Sequence, residues 1–195
     1  MKKIILASAS PRRKELLEQI GMEFEVMVCG GEAPIETTIP EDVVKIHALQ
    51  KLQAVIEHLE ESGYHQDVII LSADTVVAYD SKVLEKPKDE QDAKSMLGML
   101  QGNTHQVYTG VALYDYLSKK EKVFVQKTEV TFYAMTEEEI IEYVNTKEPM
   151  DKAGSYGIQG IGGKFVKEIK GDYNNVVGLP VARLYQEIKW MMNND

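Results

Sequence analysis

An α/β fold with a mixed sheet is what the sequence predicts, on three observations. Short apolar runs alternate with segments of helical spacing, two long strand-like runs follow each other with no helix between them, and Thr136-Glu137-Glu138-Glu139 spells a helix capping box. The first strand, 3–7, is a buried apolar run. Leu16, Leu17 and Ile20 behind it fall at helical spacing, so 11–20 is a helix entered through a strand-to-helix turn. Ser10 takes its N-cap and Pro11 its first position. A second strand spans 24–28, and a long helix 41–59 carries Val43, Ile46 and Leu49 on one face. Strands at 68–73 and 75–79 flank an interruption at Asp74, and Asp80-Ser81 supplies a hairpin turn into Val83-Leu84. After a helix at 90–100, the runs 106–114 and 122–134 read as an antiparallel pair. The capping box opens a helix at 137–144, a strand lies at 164–169, and a helix at 181–192 is the last element.

The chain has 195 residues, which fit one domain, 1–195, or one domain with two lobes; no repeat or linker of interdomain length divides it. Hydrophobic residues make up 44% and charged residues 27%, an ordinary globular balance. No apolar run approaches the roughly 20 residues that a membrane span needs, and the apolar start of the chain is too short for a signal peptide. Cys29 is the single cysteine, so neither an intramolecular disulfide nor a thiolate metal cluster is expected, and a cytoplasmic location follows. A net charge of −9 argues against stable nucleic-acid binding. An anionic ligand must therefore meet a local basic cluster.

Ser10-Pro11-Arg12-Arg13 marks one such cluster, because two arginines stand where a helix N-terminus already carries partial positive charge. Each costs roughly 0.3–1 kcal/mol if exposed, and a bound anion would reverse the sign. The hydroxyls of Ser8 and Ser10, the unpaired backbone N–H groups and the two guanidiniums make a phosphate cradle; the plain alternative is a capped helix with two solvated arginines. Asp74 in Ser72-Ala73-Asp74-Thr75 ends a buried run, where ligands bind in open α/β sheets. It reads equally as a turn-forming residue, although Asp80-Ser81 serves that purpose better. Lys86, stiffened by Pro87, and Lys51, on the second helix, are most simply solvated lysines. Glu32, beside Gly30 and Gly31, is a second carboxylate able to help Asp74 hold a hard divalent cation.

Five glycines fall within the ten residues from Gly154 to Gly163, which points to close backbone approach over a ligand. A P-loop is excluded because Ile158 stands where its first glycine belongs and Phe165 where Ser or Thr would hold Mg²⁺. Gln159, a bidentate amide among glycines, suits a base edge. His47, His58, His65 and His105 lack zinc-site spacing and read as surface or packing residues.

Taken together, Ser8-Ala9-Ser10-Pro11-Arg12-Arg13, Ala73-Asp74-Thr75, Glu85-Lys86-Pro87 and the stretch from Asp151-Lys152-Ala153-Gly154 to Tyr156-Gly157-Ile158-Gln159-Gly160 resemble the Maf family of nucleoside triphosphate pyrophosphatases. The resemblance runs on through Gly171-Asp172-Tyr173 and Val177-Gly178-Leu179-Pro180, and the Pro-Arg-Arg turn and Tyr-Gly-Ile-Gln loop look like the dTTP/UTP branch. It implies an inosine-triphosphatase-like elongated mixed sheet, with two lobes flanking a nucleotide cleft. It also implies cleavage to a nucleoside monophosphate and pyrophosphate. Asp74 would be the proton acceptor and a metal ligand with Glu32, for Mg²⁺ or Mn²⁺. Ser8, Ser10, Arg13, Lys51 and Lys86 would hold the triphosphate, and Arg12, Thr75 and Gln159 would set base specificity. The expected partner is the nucleotide, with room left for a homodimer. The competing readings are an inosine or xanthosine triphosphate pyrophosphatase and a non-catalytic nucleotide sensor in septum control.

Overall fold

The computed structural model describes residues 2–31 and 33–193. Its elements run β1 (Lys3–Leu6), α1 (Pro11–Gln19), β2 (Phe24–Val26), α2 (Pro40–Glu61), β3 (Val68–Tyr79), β4 (Lys82–Leu84), α3 (Glu90–Leu100), β5 (Thr104–Asp115), β6 (Glu121–Phe132), α4 (Glu137–Asn145), β7 (Val166–Lys170), α5 (Tyr173–Val177) and α6 (Val181–Asn193). Three short 3₁₀ turns, Glu148–Asp151, Ala153–Ser155 and Ile161–Phe165, lie between α4 and β7.

The strands form one seven-stranded sheet in the order β2-β1-β3-β5-β6-β7, with β4 also paired to β3. β1 is parallel to β2 and β3, and the remaining pairings are antiparallel, which is the mixed sheet that the strand order predicts. Central position explains the apolar runs: Ile4 and Leu6 face one core with Leu16, Leu17 and Leu184, while Ile5 faces another with Ala48, Leu52 and Val55 of α2. Each such buried aliphatic side chain contributes roughly 1.5–3 kcal/mol. A third core, built on Val77, Val107, Val130 and Phe132, packs under α3 and α4. The long strands therefore pass from one core to another along their length. The β3–β4 turn is the expected one, since Asp80 (φ 48°) and Ser81 (φ 60°) both take the left-handed conformation of a type I′ hairpin.

Two expectations need correction. Asp74 does not end a strand: β3 runs unbroken from Val68 to Tyr79, and Asp74 pairs in register with Gly110 of β5. The polar residues are tolerated because their side chains find partners outside the sheet; Ser72 Oγ donates to the Ala48 carbonyl at 2.7 Å. The cap at Ser10 is also different, because its side chain makes no cap bond to α1. The capping box at Thr136 forms as expected, Thr136 Oγ1 accepting from the Glu139 N–H and the Glu139 carboxylate from the Thr136 N–H.

Candidate active site

β1 delivers Ser8, and α1 begins three residues later, so the first turn of that helix looks into the sheet at the point where β3 passes between cores. There Arg13, 8% exposed, donates from Nε to the Gly178 carbonyl (3.0 Å) and from its two terminal nitrogens to Ser8 Oγ (3.0 Å) and Thr75 Oγ1 (3.1 Å). Thr75 Oγ1 in turn lies 2.9 Å from Thr109 Oγ1. A guanidinium fixed by bonds to three separate segments is preorganised, not solvated. Arg12 stays nearer solvent and pairs with Asp151 at 3.1 Å.

One residue before Thr75, Asp74 meets two side chains of α2 set one helical turn apart. Lys51 Nζ stands 2.6 Å from Oδ1, and His47 Nδ1 stands 3.4 Å from Oδ2. Burial pushes the Asp74 carboxyl up, but the His47 ring and the charges of Lys51 and Arg13 overcome that and hold it at about 2. Asp74 is thus a carboxylate at any ordinary pH.

These residues floor a cleft of about 950 Å³. Its far wall is the glycine-rich stretch, and the glycines there answer mainly to the protein itself. A Cβ on Gly154, which has φ +66°, would fall 2.8 Å from the Val77 side chain, and one on Gly160 would fall 2.4 Å from Glu148 Oε2. Glu148 binds that segment by accepting from the N–H groups of Ile161 (2.9 Å) and Gly162 (3.0 Å), while the Tyr143 hydroxyl accepts from the Gly157 N–H and donates to Glu148. Burial pushes Glu148 up, yet the two N–H groups prevail and keep it below the usual carboxylate range. The expectation of close approach over a ligand is met instead by close approach to Glu148 and Val77, leaving Gln159 exposed on the cleft wall.

The cleft gathers Ser8, Ser10, Arg12, Arg13, Lys51, Asp74, Thr75, Lys86 and Gln159, every sequence-predicted site residue but one. Glu32 lies outside the described residues. Lys86 is exposed at the rim, whereas Lys51 is drawn in against Asp74, which replaces the solvated reading of that lysine. Residue-by-residue reading missed His47, assigned to surface or packing, and Glu148, which carried no motif. His47 had a signal: it precedes Lys51 by four residues, so if one faces the site the other shares its face.

Among the described residues, no helix is long and apolar enough to cross a membrane. A carboxylate paired with cations on the floor of a cleft, where a mixed sheet changes cores, defines an α/β protein built to receive an anionic ligand. The chain belongs to the Maf-like protein family, whose profile matches residues 3–191. A Bacillus cytotoxicus protein named dTTP/UTP pyrophosphatase is 58% identical over 191 residues, 97% of this chain and 95% of that protein. Proteins of the same name from Bacillus mycoides, 54% identical over 97% of this chain and 95% of theirs, and from Agathobacter rectalis, 53% identical over 97% of each, are similarly close.

Proposed function

We propose that this protein is a nucleoside triphosphate pyrophosphatase that hydrolyses dTTP and UTP to the monophosphate and pyrophosphate. The single observation that carries the reading is the cleft floor, where an ionised Asp74 sits among Lys51, His47 and the Ser8–Arg13 network, in a chain whose full-length relatives bear that name. In this reading the water oxygen attacks the α-phosphorus, pyrophosphate leaves with the bond's electron pair, and Asp74 takes the proton. Lys51 holds Asp74 at rest; a triphosphate competes for the same ammonium, and its transfer to a phosphate oxygen makes the freed carboxylate a better base. Ser8, Ser10, Arg13 and Lys86 grip the phosphates, and Arg12, Thr75 and Gln159 face the base.

Among the described residues no group of three or more His, Cys, Asp or Glu side chains is arranged to hold a metal ion unaided. That fits Mg²⁺ or Mn²⁺ arriving with the nucleotide, since such ions bind through one or two carboxylates plus substrate phosphates. Asp74 is the described carboxylate that would hold the ion, with Glu32 as its companion. When bound, the cation neutralises phosphate charge and acidifies water.

The test is pyrophosphate release across dTTP, UTP, CTP, ATP, GTP, ITP and XTP, with and without Mg²⁺. The expected result is pyrimidine preference and metal dependence, with Asp74→Asn lowering kcat by roughly 10²–10⁴-fold while the fold persists. Preference for ITP or XTP, or turnover in Asp74→Asn within threefold of the parent, would overturn it.

A further inference from the structure

His47 is 8% exposed, sits on the interior side of α2 and opens onto the cleft, yet the proposed reaction gives it no part. Its position is defined by a division of labour around one carboxylate. Asp74 has two oxygens, and the two side chains that face them differ in kind. Lys51, on Oδ1 at 2.6 Å, is a flexible point charge that the incoming phosphates also attract. His47, on Oδ2 at 3.4 Å, is a ring with two rotatable bonds, nearly buried on the same helix one turn earlier. At that distance the ring nitrogen is at the outer limit of hydrogen-bonding reach, and such contacts tighten when a site closes on its substrate.

We propose that His47 is a positioning residue: its Nδ1–H, facing Asp74 Oδ2, keeps the carboxylate aimed at the attacking water once Lys51 has turned to the triphosphate. The inference rests on the reading of Asp74 as the proton acceptor. It needs no proton transfer by the imidazole itself. With Lys51 turned away and no partner on Oδ2, the carboxylate would rotate about its Cβ–Cγ bond, and misaiming a reacting group by about 1 Å costs on the order of 10²-fold. Outer partners that orient a catalytic group are commonly worth 10–100-fold in activity.

Two substitutions separate this role from packing, because the two roles rank them in opposite order. His47→Leu fills the buried volume and removes the N–H, whereas His47→Asn places an amide N–H near the position of Nδ1 at the expense of volume. With dTTP, positioning predicts that His47→Leu lowers kcat about 10–100-fold with KM within twofold of the parent, and that His47→Asn recovers most of the loss. A packing role predicts the reverse order. If His47→Leu fails to fold, His47→Gln takes its place, since Gln sets its amide nearer Nε2 than Nδ1 and should turn over more slowly than His47→Asn. The cycle with Asp74→Asn supplies the second readout: a residue that acts through Asp74 adds no further loss to that variant. Parent-like kcat in His47→Leu, a faster Leu or Gln variant than Asn, or full additivity with Asp74→Asn overturns the proposal. An unmodified protein that releases no pyrophosphate from dTTP would instead overturn the proposed function, so the two failures are distinct.

Discussion

Asp74 and His105 are both largely shut off from water, yet burial decides the charge state of only one of them. Around Asp74, the His47 ring and the charges of Lys51 and Arg13 outweigh desolvation, and the carboxyl sits at about 2. His105 has no such compensation. It is fully buried, its Nε2 is 2.9 Å from the Tyr156 hydroxyl, its Nδ1 has no hydrogen-bond partner among the described residues, and desolvation lowers it from 6.5 to about 4. Both rings stand edge-on to Phe132 beneath the loop that carries Gln159. Because the folded value is below the unfolded one, the unfolded chain binds the extra proton in the window between them. Stability from this residue is therefore complete above pH 6.5 and falls as pH drops toward 4, at roughly 1.4 kcal/mol per unit. Urea unfolding should show a loss of roughly 2 kcal/mol from this residue between pH 6.5 and 5. The part owed to His105 should vanish in His105→Leu; an identical pH slope in parent and variant would mean that the ring is protonated in the folded protein.

At the scale of elements, α2 and β3 are one device, and Gly110 of β5 sets the distance between them. A Cβ at Gly110 would fall 2.4 Å from the Val44 carbonyl oxygen and 2.9 Å from the Lys45 nitrogen, both backbone atoms of α2, so only a shift of the helix could admit it. Gly110→Ala should cost on the order of 1–3 kcal/mol or more, and it should lower kcat/KM in the folded fraction because His47 and Lys51 move with the helix. Gly98, inside α3 with no atom of the described residues within 4 Å of its missing Cβ beyond its chain neighbours and its own helix backbone, is the control: Gly98→Ala should gain roughly 0.5–1 kcal/mol and leave turnover alone. Denaturant midpoints and pyrophosphate release measure both, and equal effects at the two sites would remove Gly110 from this role. The same elements show what a sequence can reveal. The capping box and the Asp80-Ser81 turn were legible because each is settled within four residues. The unbroken β3 was not, since Ser72 and Asp74 are made tolerable by Ala48, His47 and Lys51 from a helix more than twenty residues earlier, and hydropathy along the strand cannot register them. The short α5 escaped because five residues carry no period; its one local sign was Asp172, whose side chain accepts from the Asn174 and Asn175 N–H groups.

Over the whole molecule, the cleft lies where the cores exchange places along shared strands. Ile69, Leu71 and Ala73 of β3 belong to the core with α1 and α6, while Val77 belongs to the core with α3 and α4, and Asp74 and Thr75 fall in between. The described cleft wall gathers Arg12, Arg13, Lys51, Lys86 and Lys152 against Asp74, Glu85, Glu148 and Asp151, a cationic surplus in a chain of net charge −9. Four of these cations, Arg12, Arg13, Lys51 and Lys86, were legible in the sequence as site residues; Lys152 was not, because it lies far from Arg12 in the chain and the Arg12–Asp151 pair brings its segment to the cleft. Two consequences follow for melting. Since β3, β5 and β6 run through both cores, neither core has a sheet of its own, and the chain should unfold in one calorimetric transition. A ligand that spans the cleft then stabilises all of it. A non-hydrolysable α,β-imido analogue of dTTP with Mg²⁺, at about 100 times its Kd, should add about 2.7 kcal/mol, or a rise in Tm of roughly 5–10 °C for a domain of this size. Chelating the cation should shrink the shift, because the phosphates then meet the lysines and arginines without the ion that Asp74 would hold. Two transitions, only one of which moves with the analogue, would instead divide the chain into two domains and confine the nucleotide to one of them.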